Sequence, residues 1–213
     1  MPGRQAAVFD FDGTVIRGDS IVALLRLARR QGYLSLPGLA YSALCGILYY
    51  LHLMDAMAAK RRSHAFLTRM RPAEREKLLR SFADSLVSRA YPDALRQMAA
   101  HHQKGDLVVL CSASCQCYMQ YVAPLLGADA LLCTPSAPDG QCLGPNCRGQ
   151  EKVRRVTAWL AENGLPGDAI CAAYGDSKGD APILRASREP VLVNPKKGLK
   201  KALPDARQVS WQE

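Results

Sequence analysis

Two aspartates one residue apart, Asp10 and Asp12 in the run Asp10-Phe11-Asp12-Gly13-Thr14, are the residues of this chain best suited to chemistry. The preceding Ala6-Ala7-Val8-Phe9 reads as a short apolar strand, and Gly13 marks the turn out of it. Side chains at i and i+2 of a strand point to the same side, so the two carboxylates are expected to converge. Converging carboxylates repel unless a shared proton or a hard divalent cation joins them. The pair therefore points to metal-assisted chemistry rather than to packing.

Such a site needs a rigid frame, and the pattern along the chain supplies one. After the first strand, residues 17–104 read almost wholly helical. Asp19-Ser20 can cap a helix over 21–30, an apolar helix or helix pair covers 34–54, and amphipathic helices cover 57–70 and 72–90. Pro92-Asp93 opens another helix. From residue 107 strands and helices alternate: strands at 107–111, 130–133, 169–173 and 191–193, helices at 115–126, 151–163 and 181–186, and a Pro/Gly-rich loop at 134–149. Alternation of this kind argues for an α/β fold with a parallel sheet, interrupted after its first strand by a helical block. Ligands of open α/β sheets bind beyond the carboxyl ends of strands. Asp10 and Asp12, Ser112, and Gly175-Asp176-Ser177 all fall at such ends.

The 213 residues, 48% hydrophobic and 22% charged, suffice for one substantial core. A net charge of +9 favours anionic partners. Nucleic acid is not expected among them, because the cations are dispersed and only 7% of residues are aromatic. No charged-then-apolar leader is read ahead of the first strand, so a reducing cytoplasm is the expected compartment. Cys111, Cys115 and Cys117 do not have the spacing of a paired CxxC zinc site, and Cys142 with Cys147 is too wide. The eight cysteines are accordingly read as buried small hydrophobes and free thiols.

Four segments in order, Asp10-Phe11-Asp12-Gly13-Thr14, Ser112 within Cys-Ser-Ala-Ser, Lys152 within Gly-Gln-Glu-Lys, and Gly175-Asp176-Ser177-Lys178-Gly179-Asp180, resemble the haloacid dehalogenase superfamily. The branch they resemble contains the phosphoserine phosphatases. The resemblance implies a Rossmann-like core over residues 1–16 and 92–213 with a helical cap over 17–91. It implies a phosphatase in which Asp10 attacks phosphorus to give an aspartyl phosphate and Asp12 protonates the leaving group and later activates water. Apposition of another carboxylate is expected to raise the Asp12 pKa. Mg²⁺ would be held by the Asp10 carboxylate, the Asp12 carbonyl and the Asp176 carboxylate. Gly13, Thr14, Ser112, Ala113 and Ser114 would surround the phosphoryl group, Lys152 would sit between nucleophile and phosphate, and Ser177 and Asp180 would form an outer ring, Asp180 orienting Lys152 or a metal-bound water.

Substrate is where the sequence divides. In phosphoserine phosphatases an acidic residue soon after the first motif receives the substrate amine, and Asp19 holds a similar place, although it also reads as a plain helix cap. Arg61 and Arg62 are candidates for a substrate carboxylate. Residues 31–54 contain no Asp, Glu, Lys or Arg, and basic residues flank them. They read either as a cap helix pair buried on both faces or as an interfacial patch touching anionic lipid, which would make the substrate a lipid phosphate and the protein membrane-associated. The competing substrates are thus a small phosphorylated metabolite such as O-phosphoserine and a lipid phosphate.

Overall fold

The computed structural model describes residues 4–212. Its centre is a six-stranded, wholly parallel sheet of order β3-β2-β1-β4-β5-β6. The strands are β1 (Ala6–Phe9), β2 (Leu107–Cys115), β3 (Ala130–Thr134), β4 (Ile170–Gly175), β5 (Glu189–Val193) and β6 (Arg207–Val209). β1 is buried along its whole length because sheet neighbours and covering helices leave it no solvent face. The winding direction reverses at β1, with β2 and β3 on one side and β4 to β6 on the other. This reversal opens a crevice at the carboxyl ends of β1 and β4.

Helices α1 (Ser20–Arg30), α2 (Leu36–Tyr50), α3 (Ala56–Thr68) and α4 (Pro72–Val87) form the insertion after β1. Its two ends are stitched together: Arg17 N donates to Arg89 O at 3.1 Å and Tyr91 N to Val15 O at 2.9 Å. α5 (Pro92–Gln103) leads back into the sheet, and α6 (Gln116–Leu125), α7 (Gln150–Glu162), α8 (Ala181–Arg185) and α9 (Lys197–Ala202) follow later strands. The insertion shares its core with the sheet domain. One apolar cluster runs from Phe9 and Phe11 through Tyr118 to Leu78, Phe82 and Leu86 of α4. Phe82 meets Tyr118 of α6 edge to face at 5.4 Å, and the Arg80 guanidinium lies 4.7 Å over the Tyr121 ring.

Two sequence expectations change here. The apolar stretch after α1 is one helix, α2, and it is not buried on both faces: within it only Ser42 and Cys45 are buried, while Leu36, Tyr41, Leu44, Ile47 and Tyr50 are exposed. A helix apolar all round satisfies its burial pattern on any side, so sequence alone does not say which face is covered. Among the described residues no helix is long and apolar enough to cross a membrane. The sheet also continues past the strand expected last, through α9 to β6, whose three residues are too few to carry an alternating pattern.

Candidate active site

Asp10 stands one residue beyond β1, and its amide still pairs with Tyr174 O of β4 at 3.0 Å. The chain then turns sharply, with the amides of Thr14, Val15 and Ile16 all donating to Phe11 O. Gly13 has φ of +81°, and a side chain there would collide with the Asp176 carboxylate. The motif therefore packs its backbone directly against the end of β4.

Lys152, in the first turn of α7, is 1% exposed and joins two carboxylates. Its Nζ donates to Asp10 Oδ1 at 2.6 Å and to Asp180 Oδ1 at 2.7 Å. Asp180 is fixed in turn, its Oδ2 accepting from Ser177 N at 3.0 Å and Ser177 Oγ at 2.9 Å. The other Asp10 oxygen accepts from Thr14 Oγ1 at 3.1 Å. Burial disfavours charge on all three groups. For Asp10 burial and the neighbouring Asp180 push the pKa up, against Lys152. For Asp180 burial acts the same way, yet Lys152 and the Ser177 donors hold the carboxyl below its usual range. Lys152 is held well above its ordinary value because Asp10 and Asp180 outweigh its desolvation.

Asp176 follows β4, and its Oδ2 pairs with Lys196 Nζ at 2.6 Å. One oxygen each from Asp10, Asp176 and Asp180 lies within 4.8 Å of the others. Burial pushes Asp176 up too, with Lys196 opposing. Three buried acids against one fixed ammonium leave an excess of negative charge, and Lys196, with a side chain 69% exposed, can swing away. The oxygen donors and charge excess fit a hard divalent cation.

Asp12 is placed differently from the expectation of convergence with Asp10. β1 ends at Phe9, so the strand period does not govern Asp12, whose carboxylate turns toward the helical insertion. Its Oδ1 accepts from Ser20 N at 2.6 Å; its Oδ2 accepts from Ser20 Oγ at 3.0 Å and from Ser114 Oγ. Burial and then Asp19 push its pKa up to about 6, against the Ser114 and Ser20 donors. The carboxylate that raises it is thus Asp19, not Asp10. Asp19 itself caps α1, accepting from Ile21 N at 2.9 Å and Val22 N at 3.1 Å.

The carboxyl end of β2, where its register with β3 shifts, contributes Ser112, Ala113 and Ser114. Ser112 is fully buried and accepts from Ser114 N at 3.0 Å, so its oxygen orders this irregular strand end. Ala113 O accepts from Thr134 Oγ1 at 2.6 Å and from Lys60 Nζ, which also reaches Asn146 Oδ1. A cavity of about 350 Å³ opens on the cluster and is lined by Asp12, Gly13, Asp19, Tyr91, Asp176 and Lys196 among others. A larger one, about 530 Å³, lies at the opposite, amino ends of the strands beside Gln5 and Cys171, away from these carboxylates. Arg61 donates to Cys142 O and Arg62 reaches Met54 Sδ, and neither lines the smaller cavity.

Sequence reasoning missed Ser20, Lys60 and Lys196. Lys196 had a usable signal, lying just beyond the β5 carboxyl end. Ser20 read only as part of a helix cap, and Lys60 belongs to a Lys-Arg-Arg run in which nothing marks one member as turned inward and half-buried.

Comparison with known proteins gives the family and the fold. The family model described as haloacid dehalogenase-like hydrolase matches residues 7–185. A Mycobacterium tuberculosis protein named a "probable phosphatase" is 31% identical over 208 residues, covering 93% of this chain and 71% of that one. A histidinol-phosphatase of Neisseria meningitidis is 26% identical over 218 residues, covering 98% and 97%. Among solved structures, a substrate-bound phosphoserine phosphatase superposes with a TM-score of 0.70 at 14% identity, covering 100% of this chain and 95% of that one. That likeness shows the fold.

Proposed function

The chain belongs to the haloacid dehalogenase-like hydrolases and is a phosphoric monoester hydrolase, and from that premise we propose that it works through an aspartyl phosphate on Asp10 with Mg²⁺ as cofactor. The buried Asp10–Lys152–Asp180 triad at the end of β1 carries this reading. Lys152 holds Asp10 Oδ1, so the oxygen facing Thr14, at the longer distance of 3.1 Å, is the one left to attack. The bond from Asp10 to phosphorus forms as the ester oxygen leaves, and Asp12 delivers its proton to that oxygen. In the second half a water gives its proton to Asp12 and attacks phosphorus, and the Asp10–phosphorus bond breaks to release inorganic phosphate. Ser20 and Ser114 fix the Asp12 carboxyl for both transfers. Lys152 offsets the repulsion between an anionic nucleophile and an anionic ester. Asp10, Asp176 and the Asp12 carbonyl would hold Mg²⁺, which would neutralise charge on the phosphoryl oxygens. The Ser112 hydroxyl and the Ala113 amide would be the donors for those oxygens, since Gly13 N is held by Ile16 O and Ser114 gives its amide to Ser112 and its hydroxyl to Asp12.

For the substrate we favour a small amine-bearing phosphomonoester. Asp19 on the cavity wall offers a carboxylate to an ammonium group, which O-phosphoserine and histidinol phosphate both carry. The exposed apolar face of α2 favours a second reading, a phosphorylated lipid approached at a bilayer surface. A phosphate-release panel of both amine esters and a phosphorylated lipid, with and without anionic vesicles, separates them. Release from the amine esters without vesicles supports the first reading; vesicle-dependent release from lipid alone supports the second. No release from any monoester, p-nitrophenyl phosphate included, defeats both.

A further inference from the structure

His64 Nε2 is the buried side-chain polar atom that finds no hydrogen-bond partner among the described residues, and His64 is 1% exposed. Leaving such an atom unpaired costs free energy and calls for an occupant. The other ring nitrogen, Nδ1, lies 2.9 Å from Lys60 O, a carbonyl that can only accept. The proton therefore sits on Nδ1, and Nε2 presents a lone pair. A ring nitrogen of His64 and the sulfurs of Cys115 and Cys117 all lie within 4.8 Å of one another. A third sulfur, Cys142 Sγ, lies 2.7 Å from Cys115 Sγ; it stands outside the mutually close set and would have to swing toward His64 and Cys117 to serve as a fourth ligand. All three cysteines are buried.

We propose that His64, Cys115, Cys117 and Cys142 form a tetrahedral Cys₃His site that takes a zinc ion, separate from the carboxylate cluster and independent of the phosphatase reading. Three thiolates and a neutral imidazole are a donor set that selects zinc over Mg²⁺. The His64 Nδ1–H to carbonyl bond is the arrangement that orients a metal-bound histidine through its other nitrogen. With Zn–S bonds of about 2.3 Å, two sulfurs on one tetrahedral ion lie about 3.7 Å apart, so Cys115 and Cys142 separate by about 1 Å on binding. Three thiolates and one Zn²⁺ carry a net charge of −1. Arg61, whose Nε donates to Cys142 O at 3.2 Å, and the neighbouring Lys60 stand beside that charge. A Cys115–Cys142 disulfide is the competing product, but it leaves Cys117 and the lone pair of His64 without a partner. The proposed ligands come from four segments, α3, the end of β2, the first turn of α6 and the loop after β3, so no local spacing would announce them. Zinc here would tie the helical insertion to the end of β2, whose Ser114 holds Asp12.

The test is metal analysis of the full chain purified with a thiol reductant and dialysed against EDTA. About one zinc per chain is expected, falling below about a tenth in Cys117→Ser and Cys142→Ser. Replacement by Co²⁺ should give intense thiolate-to-cobalt charge-transfer absorption, which a carboxylate site does not produce; this readout needs only the wild-type fold. Metal-free wild-type protein that shows no such band on adding Co²⁺ under reducing conditions overturns the proposal. So does zinc content unchanged in both variants, or a Cys115–Cys142 disulfide that persists as the sole product with Cys117 free.

Discussion

Replacing Lys152 with Met keeps the apolar stem of the side chain and removes the ammonium whose charge and N–H donors join Asp10 to Asp180. The two contacts, at 2.6 and 2.7 Å, are each worth roughly 6 kcal/mol at an effective dielectric of about 20. Desolvation of a buried ammonium cancels a large part of that. The net loss on breaking such a buried group is about 3–5 kcal/mol, most of it from stranding the partner charges. With a urea dependence of about 2–3 kcal/mol per M, the unfolding midpoint falls by roughly 1–2 M. The loss depends on pH in a defined direction. In the native chain Lys152 is raised above its ordinary 10.5 and Asp180 lowered below 3.8. The Lys152–Asp180 pair is therefore intact between those two values, lost only as pH falls through the Asp180 pKa or rises through that of Lys152, whereas Asp10, pushed up to about 7, carries its charge only above that pH. In Lys152→Met the stranded carboxyls titrate upward, so the variant holds protons that its unfolded state has released. Its deficit is then small near pH 4 and grows as pH rises toward 8. Urea unfolding of both proteins at these two pH values reads the effect, alongside phosphatase activity, which should fall to background. A variant with an unchanged midpoint at pH 8, or a deficit independent of pH, refutes the assignment of Lys152 as the cation of a buried triad.

Asp12, with a pKa pushed up to about 6, must be protonated to serve the leaving group, so kcat/KM for alkyl phosphates should fall about tenfold per unit above that pH. For p-nitrophenyl phosphate, whose leaving group needs no proton, the limb should be shallower; parallel profiles would remove Asp12 as the donor. Gly13→Ala places a side chain at φ +81°, costing about 1–2 kcal/mol, and drives it into the Asp176 carboxylate. The Mg²⁺ concentration for half activation should then rise at least about tenfold in a metal titration, and an unchanged value would show that Asp176 does not bind the cation.

The sheet and most helix boundaries were legible because strand-helix alternation and proline or aspartate caps leave marks within a few residues of each boundary. Asp10 and Asp176 stand at strand ends that the pattern defines, whereas Lys152 and Asp180 are marked only by the motifs that resemble the family; the structure brings the four together. What failed was orientation. The two-residue period placed Asp12 beside Asp10, but the strand stops at Phe9 and the turn sends Asp12 to Ser20 and Ser114. The burial of α2 failed because an apolar helix has no polar face to announce its exposed side. From α3, Lys60 meets Ala113 and Asn146 and His64 meets Cys115 and Cys117, all far along the chain, and no local spacing encodes those meetings.

The central claim is that phosphorus passes through Asp10. The direct measurement is borohydride reduction of the enzyme quenched during turnover, followed by peptide mass spectrometry, since an acyl phosphate on aspartate is reduced to homoserine. Homoserine is predicted at position 10 with substrate present, absent without it and absent in a folded, inactive Asp10→Asn variant. Full turnover by Asp10→Asn, or phosphate trapped on another residue such as Ser112, would contradict the account.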